Sequence, residues 1–227
     1  MSASFKLPSE APVMTLPDTA LFPHALLPLH IFEPRYRQML ADVLQGNRVF
    51  AVAGLDAKRA KEAEAEEPAF AVACLGMVRA CRGNPDGTSN LVLQGMTRVR
   101  FKSVVEEAPY RRCAIELLAS TPGAPPEELR RLRQELLKAI ALSRNAGVEL
   151  PEEALRFLRT LRDPETCIDV AVFSFCHDTL ERQRLLEELD TSMRFLRFMR
   201  YLQAAAERST LEKRLRGSLR DEDTQKN

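Results

Sequence analysis

The sequence contains no tryptophan, and aromatic residues make up only 6% of it. A stacking platform for carbohydrate or single-stranded nucleic acid needs rings for successive sugars or bases, and few are on offer. An excess of either charge is missing as well. Lys and Arg number 33 against 32 Asp and Glu, giving a net charge of +1. No bulk field therefore draws the chain to nucleic acid or to an anionic membrane. No apolar run approaches the roughly 18 residues of a membrane span. The longest, Val170 to Cys176, is interrupted by Ser174. Met1 to Glu10 has no basic stretch leading into an apolar core, so a secretory leader is not expected. The five cysteines, Cys74, Cys81, Cys113, Cys167 and Cys176, form no C-x-x-C pair and are odd in number. Reduced, buried thiols in a cytoplasmic protein are the expectation.

Catalytic patterns are also scarce. None of the nine Gly residues sits in a G-x-x-x-x-G-K-[ST] phosphate loop, and no Lys follows a Gly. The three histidines are His24, His30 and His177. Cys176 and His177 are adjacent, with Cys167 nine residues earlier, so a thiolate–imidazole site is conceivable. The apolar surroundings of both cysteines favour the plainer reading, in which each behaves as a small buried hydrophobe. Ligand count and spacing do not make a zinc site.

What is present falls into two textures. Residues 12–118 carry short apolar runs broken by Pro and Gly, with candidate strands at Val13–Leu16, Leu27–Ile31, Val49–Gly54, Phe70–Arg79, Asn90–Gly95, Val99–Val105 and Arg111–Leu118. Asn84-Pro85-Asp86-Gly87 signals a hairpin turn. Pro34 suits a first helical position, and a helix is expected from there to about Leu44. Asp56 to Pro68 is Ala, Lys and Glu with no apolar face and reads as a loop. Ser120 to Pro126 marks a boundary. Residues 125–216 then show helical periodicity. Leu129, Leu132, Leu136 and Ile140 share one face, and Gly147 ends that helix. Pro151 opens a second, with Ala154, Leu158 and Leu161 inward. Asp163-Pro164, Asp178 with Glu181, and Asp190 or Thr191 start three more. Residues 217–227 are polar and read as a flexible tail.

Leu21-Phe22-Pro23, Pro28-Leu29-His30-Ile31-Phe32-Glu33-Pro34-Arg35-Tyr36-Arg37 and Met39-Leu40 resemble the opening signature of the Lon N-terminal (substrate-binding) domain family. Leu16-Pro17, Gly95 with Arg98 and Phe101, Pro109-Tyr110, Ile168 to Phe175, Gln183 with Leu185-Leu186-Glu187, and Arg194 follow in the family's order. His24 stands where the family usually has Gly, and Ala73 to Met77 follows its Gly-rich strand only loosely. The resemblance covers residues 12–205. It implies an α+β fold: a PUA-like β pseudo-barrel followed by a C-terminal helical bundle. It also implies a module that binds exposed or unfolded polypeptide, adaptor- or chaperone-like. An RNA-binding module on the same barrel is the alternative. No segment resembles the ATPase or the Ser–Lys protease portions of Lon. A stand-alone chain of the peptidase S16 family type is therefore expected, without catalysis, cofactor or metal.

The expected partners are unfolded or extended polypeptides, with a full-length Lon-type protease as a candidate. Neither membrane nor nucleic acid is expected. Phe32, Glu33, Arg35, Tyr36 and Arg98 are the candidate polypeptide-binding or interface residues. Glu33, Arg35 and Arg37 flank Pro34 and Tyr36; they could line a peptide groove, but pinning the barrel to its helix through ion pairs and hydrogen bonds is the favoured role. Arg98 and Arg100 alternate with Val99 and Phe101 on one strand, which suggests a solvated face more than a phosphate-binding one. Arg130, Arg131 and Arg133 lie among acids and suit helical ion pairs. Leu211, Leu215 and Leu219 form a four-spaced stripe, either a homo-oligomer seam or ordinary packing.

Overall fold

A computed structural model describes residues 7–62 and 68–224. The strands are β1 (Glu10–Leu16), β2 (Leu26–Ile31), β3 (Val49–Gly54), β4 (Val72–Gly83), β5 (Ser89–Glu106) and β6 (Arg112–Leu118). The helices are α1 (Pro34–Gln45), α2 (Ala57–Glu62), α3 (Pro126–Asn145), α4 (Glu152–Thr160), α5 (Pro164–Phe175), α6 (Thr179–Glu187) and α7 (Thr191–Thr224). The chain forms two units. One runs to Ala119 and also takes in His177–Leu189; the other comprises Ser120–Cys176 and the chain from Asp190 on. Helix α6 therefore joins the β unit, although its capping pattern continues the helical half of the sequence.

In the β unit the strand order is β2-β5-β4-β3-β1-β6, and β5 also pairs with β6, which closes a five-strand pseudo-barrel with β2 attached outside. β1 and β3 run parallel; every other pairing of these strands is antiparallel. Inward residues come at alternate positions: Ala11 and Val13, Val49, Ala51 and Ala53, Ala73 and Leu75, Val99, and Cys113. Small alanines beside branched side chains fill the narrow interior. β3 is buried at all six positions, as its unbroken apolar run requires of a strand covered on both faces.

The runs at Asn90–Gly95 and Val99–Val105 form one strand. The register shifts between Leu75 and Gly76, where Thr97 and Gly95 are the partners and Met96 is left unpaired. A bulge, with its one extra residue, stands where the sequence suggested a break. Gly95 is required there because an added Cβ would lie 1.9 Å from the Phe22 carbonyl oxygen. The Asn84–Gly87 turn links β4 and β5, with Gly87 at φ 80°. His24 also takes a left-handed backbone, at φ 65°, with its N–H on the Gly95 carbonyl at 2.9 Å. A histidine here thus adopts a backbone conformation that favours glycine. Part of the expected Asp56–Pro68 loop is helix α2; residues 63–67 lie outside the described residues.

In the helical unit Asp163 caps α5 through the Thr166 N–H at 2.8 Å. Asp190 accepts from the Met193 N–H at 3.0 Å and starts α7. After α3, Gly147 turns the chain at φ 97°. In α4, Leu155 and Leu158 are the buried residues, where Ala154, Leu158 and Leu161 were expected. Arg194, fully buried, donates to Asp169, which is also fully buried, to Ser120 Oγ at 2.9 Å, to Thr191 Oγ1 at 3.0 Å and to Glu165 at 3.2 Å. α7 continues helical through 217–224, part of the stretch expected as a tail; residues 225–227 lie outside the described residues. Among the described residues no helix is long and apolar enough to cross a membrane.

Candidate functional site

The corner between β2 and α1 gathers four of the five expected residues but gives them different tasks. Ile31 turns inward, and Phe32, next along, is 61% exposed with its ring stacked on His30 at 6.0 Å. Pro34 fixes the first turn of α1. Glu33 accepts from Arg35 at 3.0 Å to Nε and 2.8 Å to Nη2, with both side chains half-exposed. The Arg35 guanidinium lies 4.5 Å from the centre of the Tyr36 ring. Tyr36 is buried. Its phenol donates to the Thr15 carbonyl and accepts the Thr15 N–H, each at 3.2 Å, fastening α1 to β1. At the other end of α1, the Tyr110 hydroxyl donates to Asp42 at 2.8 Å, and burial together with that carboxylate pushes the Tyr110 phenol up to about 12.

Arg98 departs from the expected solvated face. Val99 and Phe101 point into the barrel, so Arg98 and Arg100 point outward as the alternation requires. At Arg98, however, the outside is covered by α6. Arg98 is 1% exposed, donates from Nε to the Leu186 carbonyl at 2.9 Å, and lies over the Phe22 ring at 5.6 Å. Gln183 of α6 adds a hydrogen bond of its own, Nε2 donating to the Val72 carbonyl at 3.0 Å. Arg100, two residues on, is exposed and faces Glu116 at 3.6 Å. Arg98 is thus withdrawn from any exterior ligand; Tyr36, though buried, lines a cavity of about 180 Å³ with Arg35 and Tyr110, and Phe32, Glu33 and Arg35 are accessible.

Next to the corner lies a groove of about 480 Å³, a size common among ligand sites. It crosses β2, β5 and β4, and its two cross-strand rows follow from the register: Pro28–Val92–Ala80, then His30–Asn90–Arg82. The first row is apolar and the second polar. Sequence reasoning missed Val92, Ala80 and Arg82, because only the pairing of β4 with β5 brings them level with β2. The outer edge of β2 is also defined. Gly95 donates to the Ala25 carbonyl at 2.9 Å, so residues 25, 27, 29 and 31 direct their backbone at β5. Leu26, Pro28 and His30 face outward, and Pro28 has no N–H to give. The edge is blunted at its centre against simple strand addition.

Burial dominates the surroundings of the cysteines. Cys74, Cys113, Cys167 and Cys176 are buried and Cys81 is partly exposed. Burial pushes the Cys113 thiol up and the Cys167 thiol up to about 11, away from the thiolate a nucleophile needs. Among the described residues no cluster of three or more His, Cys, Asp or Glu could hold a metal.

The family model for the substrate-binding domain of the ATP-dependent protease La (Lon) matches residues 10–204. The chain belongs to the Lon substrate-binding domain family. Its similarity to the Lon protease of Desulfosudis oleivorans is 23% identity over 223 residues, covering 96% of this chain and 26% of that protein. With the Escherichia coli K12 Lon protease it is 25% over 221 residues, covering 93% and 27%. The chain thus spans about a quarter of the length of these Lon proteases. Among solved structures, the N-terminal domain of the Mycobacterium avium complex Lon protease superposes with a TM-score of 0.62 at 16% identity, covering 87% of this chain and 98% of that one. The Lon N-terminal domain protein of Xanthomonas campestris gives 0.61 at 17%, covering 86% and 99%. These two likenesses establish the α+β fold of a Lon N-terminal domain.

Proposed function

We propose that this chain is a non-catalytic, cytoplasmic module that binds exposed or unfolded segments of other polypeptides. Its role is adaptor- or chaperone-like, with a full-length Lon-type protease as a candidate partner. The observation that carries this reading is the apolar groove on an open sheet face beside the exposed Phe32, in a domain of the Lon substrate-binding family. Phe32, stacked on His30, borders the groove, and Glu33 and Arg35 are accessible at the neighbouring corner; Tyr36 and Arg98 hold the scaffold. The absence of catalysis is supported by the family match, which concerns the substrate-binding domain alone.

The test is a fluorescence titration of a labelled reduced, unfolded polypeptide and a labelled RNA at two salt concentrations. Apolar contact is little affected by moderate salt, whereas phosphate contacts release counterions and weaken steeply. Micromolar-order binding of the polypeptide that persists to physiological salt is expected. Tight RNA binding that collapses with salt, with no polypeptide binding, would replace this reading by an RNA-binding one.

A further inference from the structure

We propose that the groove across β2, β5 and β4 selects extended segments in which an apolar side chain has a carboxylate two positions away. This rests on the polypeptide-binding reading and adds a sequence preference to it.

The geometry sets the spacing. β2 and β4 flank β5 at neighbouring strand positions, so the trough between them is about 10 Å wide, room for one extended chain over β5. The two rows, Pro28–Val92–Ala80 and His30–Asn90–Arg82, are two residues apart along each strand. An extended chain places side chains i and i+2 on one face at that same interval, roughly 7 Å. A segment lying along β5 therefore sets one side chain over the apolar row and its second neighbour over the polar row.

Charge decides what the second side chain is. Among the described residues, Arg82 is the only Lys, Arg, Asp or Glu lining the groove. It is exposed and makes no ion pair among the described residues. Other polar groups nearby are engaged: His30 Nδ1 with Asn90 Oδ1 at 2.9 Å, Arg79 Nε with Gln94 at 2.6 Å, and Asp86 with the Thr88 hydroxyl at 2.7 Å. The groove thus offers an apolar seat with a guanidinium at one end and no lining carboxylate to neutralise it. With Pro28 blunting the β2 edge, side-chain capture is favoured over backbone pairing.

The experiment compares two labelled decapeptides that differ only in the residues flanking a central Leu. One carries Asp at both the second preceding and second following positions, the other Lys. Binding is read by anisotropy and by protection of Cys81, the one partly exposed cysteine, from a thiol reagent. The Asp peptide is expected to bind on the order of fivefold more tightly, the scale of a small attraction plus a small repulsion at an exposed charge. It should also slow labelling of Cys81. Arg82→Glu should reverse the order of the two peptides, and Val92→Gln, which removes the apolar seat without adding charge, should weaken both. Equal binding of the two peptides, an order unchanged by Arg82→Glu, or full binding by Val92→Gln overturns the preference. In those cases binding of the reduced, unfolded polypeptide shows that the broader reading stands; loss of that binding as well overturns both.

Discussion

Replacing Asp169 with Ala tests the buried ion pair of the helical unit. Asp169 and Arg194 are both fully sequestered from solvent. Removing the carboxylate leaves the guanidinium buried with two hydroxyls, Ser120 and Thr191, and with Glu165, whose side chain is 42% exposed. Breaking a buried pair by deleting one partner costs about 3–5 kcal/mol. The half-exposed Glu165 offsets under about 1 kcal/mol of that. The expected loss is therefore about 3 kcal/mol, a large share of a typical stability of roughly 5–15 kcal/mol. At a urea slope of about 2 kcal/mol per molar, the midpoint falls by about 1.5 M. Urea titration followed by circular dichroism reads it. The double variant Asp169→Leu/Arg194→Met has no buried charge left to strand and should recover most of the loss. Glu165→Gln should cost under about 1 kcal/mol. If Asp169→Ala shifts the midpoint by less than about 0.5 M, or the double variant is as unstable as the two single losses added together, the pair is not the energetic unit described here.

Three further outcomes follow from the β unit. Gly95→Ala places a Cβ against the Phe22 backbone, which cannot rotate away, and should cost at least about 3 kcal/mol; an unchanged melting temperature would refute the close approach. Arg98→Met removes the charged donor to the Leu186 carbonyl, worth about 1.5–3 kcal/mol, and should speed amide exchange in Thr179–Glu187 while leaving β3 protected. Uniform exchange across the unit would show that Arg98 is not what fastens α6. Tyr110, raised by burial and by Asp42 to about 12, should ionise well above the ordinary 10 in an ultraviolet pH titration, its step identified by its loss in Tyr110→Phe. Because its folded value lies above the ordinary 10, its contribution to stability is complete below pH 10 and is lost as pH rises from there through about 12. A titration in which Tyr110→Phe removes a step near 10 instead would contradict the burial.

Much of the architecture was legible in the chain itself, because it is local physics. Short apolar runs marked β1, β3 and β6, Pro34 marked the start of α1, and Asp163, Asp178 and Asp190 marked three helix starts whose caps close within three residues. The signature from Pro28 to Arg37 was enough to suggest the family, since its unusual run of residues does not depend on where the chain folds back. Tertiary structure decided the rest. Arg98 reads as a solvated strand residue until α6, some 88 positions later, covers it. Met96 reads as a break until β4 pairs on both sides of it and makes it a bulge. The groove is invisible along the chain because Pro28, Val92 and Ala80 become neighbours only through strand register. Local sequence fixes backbone preference and the side a residue faces; what lies on that side is set by contacts distant in sequence.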